Sequence, residues 1–141
     1  MISLLKVSES DAEDIFEMAG MLSMSFDVGC KHELSDFLRV FKDDETIFLI
    51  ARIANVAVGY LYGNTHYAFY AAQNVAWIEE LYVKEAYRRN GVATSLLIHA
   101  EQIANERKAV LISVATRRAE QFYERSGYQR SAHYFRKLLG N

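Results

Sequence analysis

Proline does not occur in this chain of 141 residues, and cysteine occurs once, as Cys30. A single thiol excludes an internal disulfide and any cysteine-cluster metal site. A reducing, cytoplasmic compartment is the simplest reading of that usage. Without proline, glycine and asparagine must mark the breaks between elements. A basic excess is missing too: 16 Lys and Arg stand against 18 Asp and Glu, for a net charge of -2. A weakly acidic chain exerts no general pull on nucleic acid or on an anionic membrane, so neither is an expected partner. No apolar run approaches the roughly 20 residues that span a bilayer. The start, MISLLKVSESD, turns acidic before a signal-peptide apolar region develops. What is present is 51% hydrophobic and 24% charged residues, the balance of a soluble globular chain. At this length one domain, residues 1–141, is expected.

The pattern along the chain predicts alternating elements. Ile2 to Val7 reads as a first strand, and Ser10-Asp11-Ala12-Glu13 has capping-box spacing ahead of a helix. Ile15, Ala19, Leu22 and Phe26 recur at helical spacing, Gly29 interrupts, and Leu34, Phe37, Leu38 and Phe41 mark a second amphipathic helix. Strands at Thr46–Ile53 and Val56–Tyr62 flank the turn Ala54-Asn55. Residues Gly63 to Asn74 read as a loop or frayed strand end. Then come a strand, Ala76–Val83, and a helix from Gly91 to about Ala104 with Val92, Leu96, Ala100 and Ile103 on one stripe. Ala109–Ala115 is nearly all apolar, as a strand covered on both faces would be. A short helix, Thr116–Ser126, ends at Gly127, and Tyr128–Leu138 supplies one or two last strands. Strand, helix, strand implies a right-handed crossover onto a parallel pair. The class is α/β or α+β, a mixed sheet with helices on its faces.

Chemistry concentrates at Arg88-Arg89-Asn90-Gly91-Val92-Ala93-Thr94, between a strand and a helix. A turn of this kind aims backbone N–H groups outward at the positive end of the helix dipole, where a phosphate or pyrophosphate fits. Gly91 and Ala93 lack bulk, so a ligand can approach the backbone. Arg88 and Arg89 add charge, of which one at most need touch it. Taken alone, a helix N-terminus with solvated arginines reads the same way. The Walker loop is excluded because no glycine–lysine pair exists, and the dinucleotide fingerprint because the turn has one glycine where three are needed.

Arg88-x-x-Gly91-x-Ala93 resembles the R/Q-x-x-G-x-G/A motif of the GNAT superfamily of N-acetyltransferases. The frame Ile78-Glu79-Glu80-Leu81-Tyr82-Val83 before it resembles that family as well. Ala119-Glu120-Gln121-Phe122-Tyr123-Glu124-Arg125-Ser126-Gly127-Tyr128 is similar to its second signature, A-x-x-F-Y-x-x-x-G-F/Y. The two blocks stand in family order, with a helix and a strand between them, and cover Ala76 to Tyr128 closely. The resemblance implies a mixed, mostly antiparallel sheet with a central splayed parallel strand pair, Ala76–Val83 and Ala109–Ala115, flanked by helices. It implies acetyl-CoA in the gap between those strands. The backbone of Arg89, Asn90, Gly91, Val92, Ala93 and Thr94 would hold the pyrophosphate. The backbone of Leu81, Tyr82 and Val83 would run along the pantetheine, with the Leu81 amide polarising the acetyl carbonyl. Thr116 stands where members often have Asn, which weakens one expected pantetheine contact. Glu85 stands where many have proline, which loosens the turn.

The family reaction transfers acetyl directly to an amine in a ternary complex. The amine must lose a proton before it attacks, and the leaving thiolate gains from a donor. Tyr123 matches the tyrosine that many members place near the CoA sulfur. A phenol titrates near about 10 and so stays neutral and able to donate at neutral pH. An aromatic anchor for a short helix is the alternative reading. For the base, Glu79 comes first, because it aligns with a strand glutamate implicated in some members, and Glu80 second. Strand alternation sends the two to opposite faces unless a bulge intervenes. A glutamate is a poor base for an ammonium group unless burial raises its pKa or a water relays the proton, and attraction of a cation is its alternative role.

Other signals are weaker. His32, His66, His99 and His133 lack metal-ligand spacing, so no metal is expected. Cys30 reads as a small buried residue. Tyr60 and Tyr62 share a strand face and suit either an acceptor pocket or the core. Arg117, Arg118, Arg125, Arg130 and Arg136 read as a solvated face rather than an RNA-binding one. Acidic Asp27, Glu33 and Asp36 lie where the family tends to shape its acceptor pocket. With Glu79 they suit a polyamine or aminoglycoside, while a protein amine or an amino acid is equally compatible. A non-catalytic acyl-CoA-binding module on the same fold is the alternative function, and a homodimer is compatible with the resemblance.

Overall fold

The computed structural model describes residues 1–22 and 31–140. The strands are β1 (Ile2–Lys6), β2 (Thr46–Ile53), β3 (Val56–Ala68), β4 (Gln73–Val83) and β5 (Ala109–Val114). The helices are α1 (Ala12–Leu22), α2 (Leu34–Phe41), α3 (Val92–Glu106) and α4 (Glu120–Arg125). The five strands form one sheet in the order β1-β2-β3-β4-β5, antiparallel except for the parallel pair β4–β5. This mixed α/β sheet with a parallel pair is the architecture expected.

Strand alternation divides the apolar residues between two cores. On one face Ile47, Leu49, Ala51, Val58 and Leu61 pack with Val92, Leu96, Leu97 and Ala100 of α3 and with Tyr123 of α4. On the other, Ile50, Tyr60 and Tyr82 pack with Ile15 and Met18 of α1 and Phe37 of α2. Each sheet face is therefore covered by one pair of helices. No helix among the described residues is long and apolar enough to cross a membrane.

Several boundaries differ from the sequence pattern. The N-terminal cap forms two residues earlier than Ser10–Glu13: the Ser8 N–H donates to Asp11 Oδ2 at 2.8 Å and opens a 3-10 turn, Glu9–Asp11. The expected loop after Tyr62 is instead a long hairpin, because Thr65, His66 and Tyr67 of β3 pair with Ala76, Val75 and Asn74 of β4. Its rungs are partly exposed, so no burial period announces it. The last helix starts only at Glu120, and Gly127 closes it with a left-handed φ of 94°. Two expectations fail at the end of the chain. Residues 129–140 form no strand. The apolar β5 is not covered on both faces: all its residues are half-buried or exposed, and it lies at the sheet edge. Phe26 and Gly29 lie outside the described residues.

Candidate active site

The turn into α3 is built by two left-handed residues, Arg89 (φ 68°) and Gly91 (φ 80°). Gly91 is the N-cap of α3, and the first helical bond runs from Ser95 N–H to Gly91 O at 3.0 Å. The N–H groups of Val92, Ala93 and Thr94 precede that bond and have no intrahelical acceptor. A Cβ built on Gly91 would meet no atom within 4 Å. The cradle is thus open, and Arg88, Arg89, Asn90 and Thr94 around it are exposed. Arg88 does not reach over it. Its Nε donates to Val83 O at 2.8 Å, and its guanidinium lies 5.7 Å from the Tyr82 ring centre. Asn90 Nδ2 closes the turn onto Tyr87 O at 3.4 Å. Arg89 is left as the cation at the mouth.

From Thr94 a groove of about 270 Å³ runs between α3 and α4, past Ile98, Glu101, Phe122 and Arg125.

In β4 the register steps from Tyr62↔Glu80 to Gly63↔Ile78, which leaves Glu79 without a partner. This is a β-bulge, and it bends the strand that carries it. Gly63 permits it: a Cβ there would run into the Trp77 carbonyl oxygen. The pairing of β4 with β5 ends at the same level, at Ile78↔Val114, while β4 continues to Val83. Along Glu79, Glu80, Leu81, Tyr82 and Val83, β4 keeps β3 on one side and has no β5 rung on the other. β4 thus runs five residues past the end of β5, on the way to the turn into α3.

The bulge also decides where the two glutamates lie. Glu79 is exposed and accepts a hydrogen bond from Trp77 Nε1 at 3.1 Å. Glu80 is half-buried and accepts one from the Tyr60 hydroxyl at 2.6 Å. Burial pushes the Glu80 carboxyl above the usual glutamate range, and the neighbouring Glu79 charge adds to this. The Tyr60 hydrogen bond and nearby His32 oppose it. Burial, and then the Glu80 charge, push the Tyr60 hydroxyl far up. Tyr62 packs on Phe48 at 5.0 Å and is raised chiefly by burial, then by Glu80 and Glu79. His32 stacks on Phe16 at 4.8 Å, and Phe16 meets Phe37 edge-on at 5.7 Å. One carboxylate thus sits among aromatic rings on the α1–α2 face. Composition hid this arrangement: Tyr60, Tyr62 and Glu80 come together only through the β3–β4 register.

Tyr123 is buried in the α3-side core, between Phe122 at 5.0 Å and Tyr128 at 5.5 Å. Burial alone pushes its hydroxyl up to about 12. Thr116 Oγ1 accepts from Ala119 N–H at 2.9 Å, so part of its capacity serves the entry to α4. Among the described residues no group of three or more His, Cys, Asp or Glu is placed to hold a metal. Asp27 and Cys30 lie outside the described residues.

Residues 12–128 match the Acetyltransferase (GNAT) family model. The chain belongs to that family, and membership supports acetyl transfer as its general chemistry. No curated protein matches the chain. Among solved structures, the aminoglycoside acetyltransferase HMB0005 from an uncultured soil metagenomic sample superposes with a TM-score of 0.84 at 20% identity, over 99% of each chain. A transcriptional regulator from Bacillus halodurans C-125 gives 0.84 at 23% identity, over 99% of this chain and 100% of that one. AAC(6')-Iy in complex with the bisubstrate analogue CoA-S-monomethyl-acetylneamine gives 0.82 at 15% identity, over 99% of each. At these identities the likeness establishes the fold.

Proposed function

We propose that this chain is an N-acetyltransferase that moves acetyl from acetyl-CoA to a cationic primary amine within a ternary complex. The observation that carries this reading is the end of β4–β5 pairing at Ile78↔Val114, beside an open helix N-terminus. The residues present fit acetyl-CoA: three outward N–H groups and Arg89 for the diphosphate, and the free β4 edge at Leu81, Tyr82 and Val83 for the pantetheine. When bound, acetyl-CoA supplies an activated thioester carbonyl. The Leu81 N–H polarises that carbonyl as negative charge grows on its oxygen.

Glu80, rather than the exposed Glu79, serves the amine. Its raised pKa makes it a better proton acceptor, and its charge attracts an ammonium group into an aromatic surround. Glu79 stays at the rim as a second attracting charge. Glu80 takes the proton the amine must lose, directly or through one water. The C–N bond then forms and the C–S bond breaks. Tyr123 donates a hydrogen bond to the departing sulfur. With the phenol at about 12 and a thiol near 8.5, full proton transfer to the thiolate is uphill by roughly 5 kcal/mol. Stabilisation by hydrogen bonding is therefore the role its burial favours, and solvent completes the protonation.

Thiol release from acetyl-CoA, measured over a panel of polyamines, aminoglycosides, amino acids and peptides, tests the reading. We expect turnover with at least one cationic class. We also expect Gly91→Glu to abolish acetyl-CoA binding in calorimetry. Unchanged affinity in that variant would show the cradle to be misplaced. A second reading, a non-catalytic acyl-CoA-responsive module, draws on the Bacillus halodurans neighbour described as a transcriptional regulator. Acetyl-CoA binding without turnover across the panel would select it.

A further inference from the structure

The β3–β4 register sets Tyr62 directly across from Glu80, so the two side chains share one face of the sheet. From Tyr62 a chain of rings leads away: Phe48 at 5.0 Å, Phe37 at 5.9 Å from Phe48, Phe16 at 5.7 Å from Phe37, and His32 stacked on Phe16 at 4.8 Å. These rings come from β3, β2, α2, α1 and the approach to α2. Both ends return to the same carboxylate, since Tyr62 faces Glu80 and His32 is close enough to act on its charge. Phe37 is buried, but Phe16, Phe48 and Tyr62 are half-buried and His32 is exposed. Ring surface thus stays open beside one half-buried anion, which the Tyr60 hydroxyl holds at 2.6 Å.

The other charges around the rings offer no second fixed anchor. Glu79 is exposed, accepts from Trp77 Nε1 at 3.1 Å and attracts only from the rim. Glu33 and Asp36, at the start of α2, are exposed, and Asp36 pairs with Arg39 at 3.4 Å. Tyr62 feels Arg39 and Asp43 with opposite sign. Exposed charges of this kind are screened by water and salt and add little to binding. A second ammonium group on the acceptor would leave water without a fixed partner, at a cost. An aromatic body would find rings to pack on.

We propose that the acceptor is a monoamine: a primary ammonium group joined by a short linker to a flat aromatic body, with no second cationic charge. The ammonium group goes to Glu80, as in the proposed reaction on which this acceptor class rests. The aromatic body lies against Tyr62, Phe48 and Phe16, edge to face or offset-stacked. The ring faces add their own attraction for the cation. Polyamines and aminoglycosides lose on both counts. They bring charges that Glu33 and Asp36 are too exposed to hold, and they carry no ring.

Calorimetry of amines against the full chain, without and with CoA, tests this apart from turnover. Phenethylamine should bind about tenfold tighter than spermidine, neamine or butylamine, the last of which has the charge without the ring. Tyr62→Leu should weaken phenethylamine about three- to tenfold and leave butylamine within about twofold. Tyr62→Phe should keep the parent's preference. Arg39→Glu, at an exposed position, should shift the preference toward spermidine by about threefold at low salt. Three results overturn the proposal. One is a polycation bound as tightly as phenethylamine. Another is butylamine matching phenethylamine. The third is no binding of phenethylamine at millimolar concentration. Phenethylamine bound with its ring preference, but with no thiol release from acetyl-CoA, upholds the ligand class and strikes the transferase reading. Thiol release with polycations and none with phenethylamine does the reverse.

Discussion

Glu80 and Tyr60 form the most informative pair of side chains. A carboxylate held at 2.6 Å from a buried phenol has its charge stabilised by one hydrogen bond, yet burial outweighs that bond and raises its pKa. Replacing Glu80 by Gln should lower kcat/KM and flatten the acid limb of its pH profile. In the parent that limb should lie above the ordinary glutamate value of 4.5. An unchanged acid limb in Glu80→Gln would remove Glu80 from the proton-transfer role. Tyr123 offers a separate test. Tyr123→Phe should reduce kcat about a hundredfold to a thousandfold, the scale of one lost transition-state donor, and leave acetyl-CoA affinity within about twofold. Equal turnover would reduce Tyr123 to an anchor of α4.

At the scale of elements, the β4 bulge sets the direction of Glu80 and lies at the level where β4–β5 pairing ends. Its structural requirement falls on Gly63, across the ladder. Gly63→Ala puts a methyl group against the Trp77 carbonyl, and we expect a loss of roughly 1–3 kcal/mol in urea unfolding. The same variant should lose activity more steeply than stability, because a shifted bulge turns Glu80 away from Tyr60. Activity that tracks only the folded fraction would uncouple the bulge from the site. The α1 entry is held by a different device. Arg52 of β2 donates to Asp11 at 2.7 Å and to Asp14 at 2.9 Å, pinning the start of the helix to the sheet.

For the whole molecule, these carboxylates give opposite dependences of stability on pH. Burial alone would raise Asp11, but the Ser8 N–H and the Arg52 guanidinium outweigh it and hold Asp11 below its ordinary 3.8. Its contribution is therefore present above that value and lost as pH falls through the lowered folded pKa. Asp11→Asn should cost about 1.5–3 kcal/mol at pH 7, and the deficit should shrink as the parent is acidified below 3.8. Glu80 is raised, so its ionised form is a liability that is absent below 4.5 and grows as pH rises through the folded pKa. Glu80→Gln should therefore gain about 1 kcal/mol at pH 8, with the gain vanishing toward pH 4. Chemical unfolding at the two pH values checks both signs. A Glu80→Gln variant less stable than the parent at pH 8 would contradict the cost assigned to that charge.

Local pattern was enough for much of this. The amphipathic stripe Val92, Leu96 and Ala100 identified α3, and Ala54-Asn55, with φ of 50° and 66°, made the β2–β3 turn. The Arg88–Thr94 and Ala119–Tyr128 blocks carried the family, because backbone turns and helix starts are written in short runs of residues. The apolar run of β5 misled, since a strand's composition does not say whether it lies inside the sheet or at its edge. Hairpin length beyond Tyr62 escaped for lack of a buried period. The bulge is a property of register, set by two strands together, so no single segment encodes it. By its own residues the sequence determined the α3 turn, the helix faces and the class of chemistry they suit. Tertiary structure alone decided which glutamate is half-buried, what hydrogen-bonds it and where β4–β5 pairing ends, because those depend on cross-strand pairing such as Gly63↔Ile78 and Ile78↔Val114, between residues far apart in the chain.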